Sequence, residues 1–194
     1  MFRYLLCGFF TFSLINYSIA QKKYPNEAST GGKKISAAKP IDTQPGKNAL
    51  AFYNEGIKLK EGKKYAEALA MFQKAILAQP DYGDALYQAG WCCNEKGKYN
   101  DAVPYLKKAL EINKDYVSAM TELGYCDYAL QNYNDALKQF NRALNISKTE
   151  LSLYYSGLCY VGLKNKDEAM KKYNELKNMP SNYADKLKKL IEGL

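Results

Sequence analysis

GDALYQAGWCCNEKGKYNDAVPYLKKALEINKDY occupies residues 83–116, and VSAMTELGYCDYALQNYNDALKQFNRALNISKT follows it at 117–149 with the same pattern. Gly56, Gly90 and Gly124 are spaced by 34 residues, and Gly157 follows 33 later. With that glycine numbered eight, position 20 is Ala68, Ala102, Ala136 and Ala169, and position 24 is Phe72, Leu106, Phe140 and Tyr173. Position 27 is Ala75, Ala109, Ala143 and Leu176, and position 17 is Tyr65, Tyr99, Tyr133 and Lys166. A fixed period of this length, with small and large apolar residues in register, predicts stacked helix pairs and not a single globular core.

The chemistry of these positions supports antiparallel helices. Glycine at eight and alanine at twenty carry almost no side chain, so two helices can approach closely there, and the larger residues fill the space beside them. Acids recur at position 19 (Glu67, Asp101, Asp135, Glu168), where they favour the positive end of a helix that starts just before them. Lys74, Lys108 and Arg142 follow near the other end of that helix. Pro104 falls inside the second helix of its repeat, and an interior proline costs ~3 kcal/mol. That helix is expected to begin late or to bend.

Glycine at eight, alanine at twenty, an aromatic at 24 and alanine at 27 resemble the tetratricopeptide repeat, and Pro80 matches that family's proline at position 32. The resemblance covers residues 49–180. It implies an all-α solenoid of four helix-turn-helix repeats at 49–82, 83–116, 117–149 and, in degenerate form, 150–180. A capping helix is expected over 181–194, with Leu187, Leu190 and Ile191 on one face. Departures exist: position four is Phe52, Leu86, Met120 and Leu153 in place of the family's usual tryptophan, and position eleven is Leu59, Cys93, Asp127 and Tyr160 in place of an aromatic.

The chain before residue 49 is of a different kind. Arg3 precedes an apolar run from Tyr4 to Ile15, and Ser18-Ile19-Ala20 places small residues where a signal peptidase reads them. The run is too short for the ~20 residues of a spanning helix, and Leu5-Leu6-Cys7-Gly8 is a poor lipid-attachment box. Residues 1–20 are read as a signal peptide, with Gln21 beginning the mature chain. Residues 21–48 hold Pro25, Gly31-Gly32, Pro40 and Pro45-Gly46, and six lysines against Glu27 and Asp42. Such a stretch buries too little apolar surface to offset its chain entropy, and is read as a disordered basic linker.

Several function classes are disfavoured. Histidine is absent, which removes the commonest general base and metal ligand. No phosphate loop, serine elbow or defensible acid pair is present, so neither catalysis nor a cofactor is expected. Residues 49–194 carry 21 basic and 18 acidic residues with no basic stripe, against a nucleic-acid role. Of the five cysteines, Cys92, Cys126 and Cys159 share position ten, a small-residue position in the resembled family, with Cys93 beside the first. Successive repeats lie on the order of 10 Å apart, beyond the about 7 Å that a disulfide spans. These thiols are read as packing residues, and no metal site is expected.

In the resembled family, positions two, five, nine and twelve of the first helix line a concave groove. Here position five is Tyr53, Tyr87, Thr121 and Tyr154, and position nine is Ile57, Trp91, Tyr125 and Leu158. Position twelve is Lys60, Asn94, Tyr128 and Val161. The candidate partner-binding residues are therefore Tyr53, Ile57, Tyr87, Trp91, Asn94, Tyr125, Tyr128 and Tyr154, aromatic groups of large contact area and few rotors. None occupies a position expected to pack the repeats together; the bland alternative is that they pack on each other or on the next helix. The family's clamp for terminal carboxylates is not implied, since Tyr53, Ile57, Ser118 and Glu122 stand where its residues belong. The expected function is an exported, non-catalytic scaffold of a bacterial cell envelope or periplasm, binding a protein or peptide. Glycan binding through the same aromatics, with Asp84, Asn94 and Asp127 as polar partners, and an inert spacer are the alternatives.

Overall fold

A computed structural model describes residues 46–180 and 182–194; the expected signal peptide and nearly all of the linker lie outside the described residues. The described residues form one compact unit. Its described residues are helical apart from turns: α1 Lys47–Glu61, α2 Tyr65–Ala78, α3 Gly83–Glu95, α4 Tyr99–Ile112, α5 Val117–Ala129, α6 Tyr133–Ile146, α7 Glu150–Gly162, α8 Lys166–Lys177 and α9 Tyr183–Glu192. The all-α solenoid of four helix pairs and a cap is thus what the chain builds. Helix α1 begins at Lys47, two residues before the first repeat was expected, a difference within the ordinary fraying of helix ends. None of the described helices is long and apolar enough to cross a membrane.

Each first helix reverses into its second by the same turn. The residue after the helix cap adopts a left-handed backbone: Lys63 (φ 59°), Gly97 (φ 69°), Gln131 (φ 63°) and Lys164 (φ 56°). The next amide reaches back five residues, from Lys64 to the Leu59 carbonyl, Lys98 to Cys93, Asn132 to Asp127 and Asn165 to Tyr160, at 2.8–2.9 Å. This is the Schellman arrangement, which satisfies carbonyls that the helix end would otherwise strand. Only at residue 97 does glycine supply the left-handed conformation without steric cost. At the far end, Gln79, Asn113 and Ser147 are extended and donate to the carbonyls of Ala75, Ala109 and Ala143, so the position-27 alanines close the second helices.

Packing follows the expected register. A β-carbon added to Gly56 would lie 2.6 Å from the Phe72 ring, one on Gly90 2.7 Å from Leu106, and one on Gly124 2.7 Å from Phe140. The glycines are needed because the second helix approaches them closely. The position-20 alanines are completely buried in all four repeats. Repeat four differs: the close neighbour of a β-carbon added to Gly157 is Leu187 of α9, and not Tyr173. The cap helix therefore fills the place that the repeat's own second helix fills elsewhere.

One expectation is narrowed and one is corrected. Helix α4 does not begin late: it starts at Tyr99, in register with Tyr65 and Tyr133, and carries Pro104 inside it. Pro104 and Asn100 are both exposed, so the Asn100 carbonyl that the proline leaves without a helical donor can be hydrated. Leu190 does not share the buried face of α9; it is 46% exposed, while Leu187 and Ile191 are completely buried. Residues 187 and 191 are one helical turn apart, whereas 190 is rotated off that stripe.

Candidate functional site

Helix α3 touches α5, and α5 touches α7, whereas second helices make no comparable contact with one another. An array packed more closely along one side curves toward that side. The first helices accordingly line the inner face, where the candidate residues were expected.

The position-five tyrosines prove to be part of the seams between repeats. Tyr53 packs on Tyr82 with ring centroids 5.1 Å apart, Tyr87 on Tyr116 at 5.0 Å and Tyr154 on Tyr183 at 4.7 Å. Each partner is the residue just before the next first helix or the first residue of the cap. Tyr116 is held further by its hydroxyl, which donates to Asp84 at 3.1 Å. In repeat three, where position five is Thr121, the seam is polar: Thr121 and Ser152 hydroxyls lie 3.2 Å apart, and Thr149 donates to Ser152.

Trp91, on α3, is nearly buried and meets the edge of Tyr65 at 5.5 Å. Lys60 Nζ, from α1, lies 5.0 Å from the Trp91 ring and donates to Gln88 Oε1 at 2.7 Å. Burial pulls the Lys60 ammonium down to about 8, against the opposing pull of Glu61, Glu122 and Glu95. From α3, Asn94 Nδ2 donates to the Glu122 carboxylate at 2.8 Å, and Asn94 Oδ1 accepts from the Cys126 thiol at 2.9 Å. Burial raises the Glu122 carboxyl to about 7, with Glu95 adding to the rise and the Asn94 bond and Lys60 opposing it. Side chains from α1, α3 and α5 thus form a polar track along the inner face. Tyr125 and Tyr128 are half-buried and both pack on Tyr155, at 5.1 and 5.5 Å. Ile57, Leu158 and Val161 are half-buried on the same set of helices.

Three models of the tetratricopeptide repeat match residues 49–115, 94–158 and 151–180, together most of the described chain. The chain belongs to the tetratricopeptide repeat family. No curated protein sequence is matched. Among solved structures, this tetratricopeptide protein is similar to YrrB, described as a TPR protein with an unusual peptide-binding site: 27% identity, TM-score 0.68, with 73% of this chain and 74% of that one covered. It is similar to a tetratricopeptide repeat protein of Parabacteroides merdae at 18% identity and TM-score 0.68, over 76% and 60% of the two chains. The first TPR of Spaghetti (RPAP3), bound to the HSP90 peptide SRMEEVD, gives 21% identity and TM-score 0.55, over 71% and 99%. The latter two carry the fold alone.

In the sequence of this tetratricopeptide protein, position six drew notice only at Glu122, as a departure from the family's clamp; it holds Asn54, Gln88, Glu122 and Tyr155. The structure places Gln88 under Lys60, Glu122 beside Asn94, and Tyr155 at the centre of a ring cluster with Tyr125, Tyr128, Tyr154 and Phe140. A signal was present: position six is polar or aromatic in every repeat and lies one helical turn from position nine. The four described cysteines are buried and unpaired, and no cluster of three metal-binding side chains occurs among the described residues.

Proposed function

We propose that this tetratricopeptide protein is a non-catalytic adaptor that holds a segment of a partner protein against its inner face. Its place of work, on this reading, is outside the cytoplasm, in a bacterial periplasm or cell envelope. The observation that carries the binding role is the set of half-buried side chains, Ile57, Tyr125 and Tyr128, that the inner helices present beside the nearly buried Trp91, the one tryptophan of the chain. Their part-exposed rings and methyls offer contact area at small entropic cost. The likeness to YrrB, whose description names a peptide-binding site, supports a peptide as the occupant. The acidic peptide of the Spaghetti complex is not carried over, since Glu122 stands where the family's carboxylate clamp requires a base. The extracytoplasmic half of the proposal is supported by the apolar run and Ser18-Ile19-Ala20. Asn94 is engaged at both ends of its amide and Asp84 accepts from Tyr116, which leaves fewer polar groups for a sugar.

The test is capture of partners from envelope extract by wild type, Trp91→Ala, and Trp91→Ala with Tyr125→Ala. Removing an interface anchor costs ~2 kcal/mol or more, so capture by the double variant is expected to weaken at least about tenfold. Circular dichroism checks that helicity is kept. Tyr125 also packs on Tyr99 and Tyr155, so the single variant isolates the indole. The controls Phe72→Ala and Phe140→Ala remove core volume and are expected to cost ~3–5 kcal/mol of stability. Undiminished capture by the folded Trp91→Ala chain would sink the reading.

A further inference from the structure

We propose that the peptide taken by the inner face is cationic, setting a lysine or arginine beside the carboxylates of Glu95 and Glu122, with apolar residues on either side. This rests on the peptide-binding reading above and names the chemical class of the occupant.

The first argument is charge. The charged residues at positions two, five, six, nine, twelve and thirteen of the four first helices are Glu61, Asp84, Glu95, Glu122 and Lys60, four acids and one base. Partners and wrong partners are discriminated chiefly by such complementarity, because like charges brought together on binding are costly. The second argument is what the face already does with its own base. Lys60 is buried, lies over the Trp91 ring and feels Glu61, Glu122 and Glu95 together. An ammonium is thus accommodated by an aromatic face and by more than one carboxylate, the two features that attract a second cation. The third is Glu122 itself. Its carboxyl is desolvated, with the neutral Asn94 amide as a hydrogen-bond donor and Lys60 as a base that acts on it. A cationic side chain of the partner would add a second. The apolar flanks come from Ile57 on α1 and from Leu158 and Val161 on α7, all half-buried.

The experiment uses the purified protein and three synthetic peptides on one apolar frame, carrying lysine and arginine, glutamine, or glutamate at the same polar positions. Trp91 is the only tryptophan, so its emission reports occupancy of this face directly. The cationic peptide is expected to bind at least about tenfold more tightly than the glutamate peptide, and more weakly as salt rises. In Glu95→Gln with Glu122→Gln the cationic preference should shrink severalfold while the glutamine peptide binds as before. If the three peptides bind alike, the charge inference is overturned and peptide binding stands. If none of them perturbs Trp91 or shows heat in calorimetry, both readings fall.

Discussion

Asn94 on α3 and Glu122 on α5 are joined side chain to side chain at 2.8 Å, so a polar bond crosses the boundary between the second and third repeats on the inner face. The carboxyl it holds is raised from 4.5 to about 7, first by burial and then by Glu95. A carboxyl whose folded pKa lies above its unfolded one contributes stability that is complete below the unfolded value and lost as pH rises through the folded value. Wild type should therefore lose stability between about pH 4.5 and 7 relative to Glu122→Gln, by roughly 3–4 kcal/mol at most. Urea melts of both chains at several pH values check this; parallel profiles would refute it.

The glycines of the repeat are predicted to tolerate no side chain. In Gly124→Ala the new carbon would sit 2.7 Å from the Phe140 ring, and in Gly90→Ala 2.7 Å from Leu106. Overpacking of this kind costs ~1–3 kcal/mol, against a helix-propensity gain of ~1 kcal/mol for alanine. Gly83→Ala is the contrast, because its β-carbon would meet Ile112 at an ordinary 3.6 Å. Thermal melts should rank the first two below wild type and leave the third near it.

The left-handed turn residues make the opposite prediction. Gln131 and Lys164 hold positive φ, where a β-carbon is penalised, in the place that Gly97 occupies in repeat two. Gln131→Gly is expected to stabilise by about 0.5–1 kcal/mol, and Gly97→Ala to destabilise by a similar amount. Denaturant midpoints of the two variants, moving in opposite directions, are the check.

Burial pushes the thiols of Cys92, Cys126 and Cys159 up to about 12. A thiol held protonated and covered reacts slowly. Alkylation followed by mass spectrometry should label none of the three quickly in the native protein and all of them once urea unfolds it. Rapid native labelling would contradict their placement.

Export remains a matter for the N-terminus itself. The mature protein is expected to begin at Gln21 and to be released in soluble form. N-terminal sequencing of the protein from fractionated cells decides it, and an intact Met1 in the membrane fraction would favour an uncleaved anchor.

The repeat, its length and its packing positions were legible before any coordinates. Gly90, Ala102 and Leu106 state by their sizes that two helices come close, and this information is local and periodic. The candidate site was legible only in part. Tyr53, Tyr87 and Tyr154 are spaced like groove residues, yet each ring rests on Tyr82, Tyr116 or Tyr183, a contact between repeats that no spacing within one repeat reveals. The Lys60–Gln88 and Asn94–Glu122 bonds join residues 28 apart. What the sequence by itself determined is the helix pair and its periodic core, because those depend on side-chain volume at fixed steps along one chain. What only the tertiary structure decided is which inner-face side chains pack and which stay polar and in contact with one another. That depends on how far one repeat is turned on the next, a rotation set jointly by all the seam residues and written at no single position.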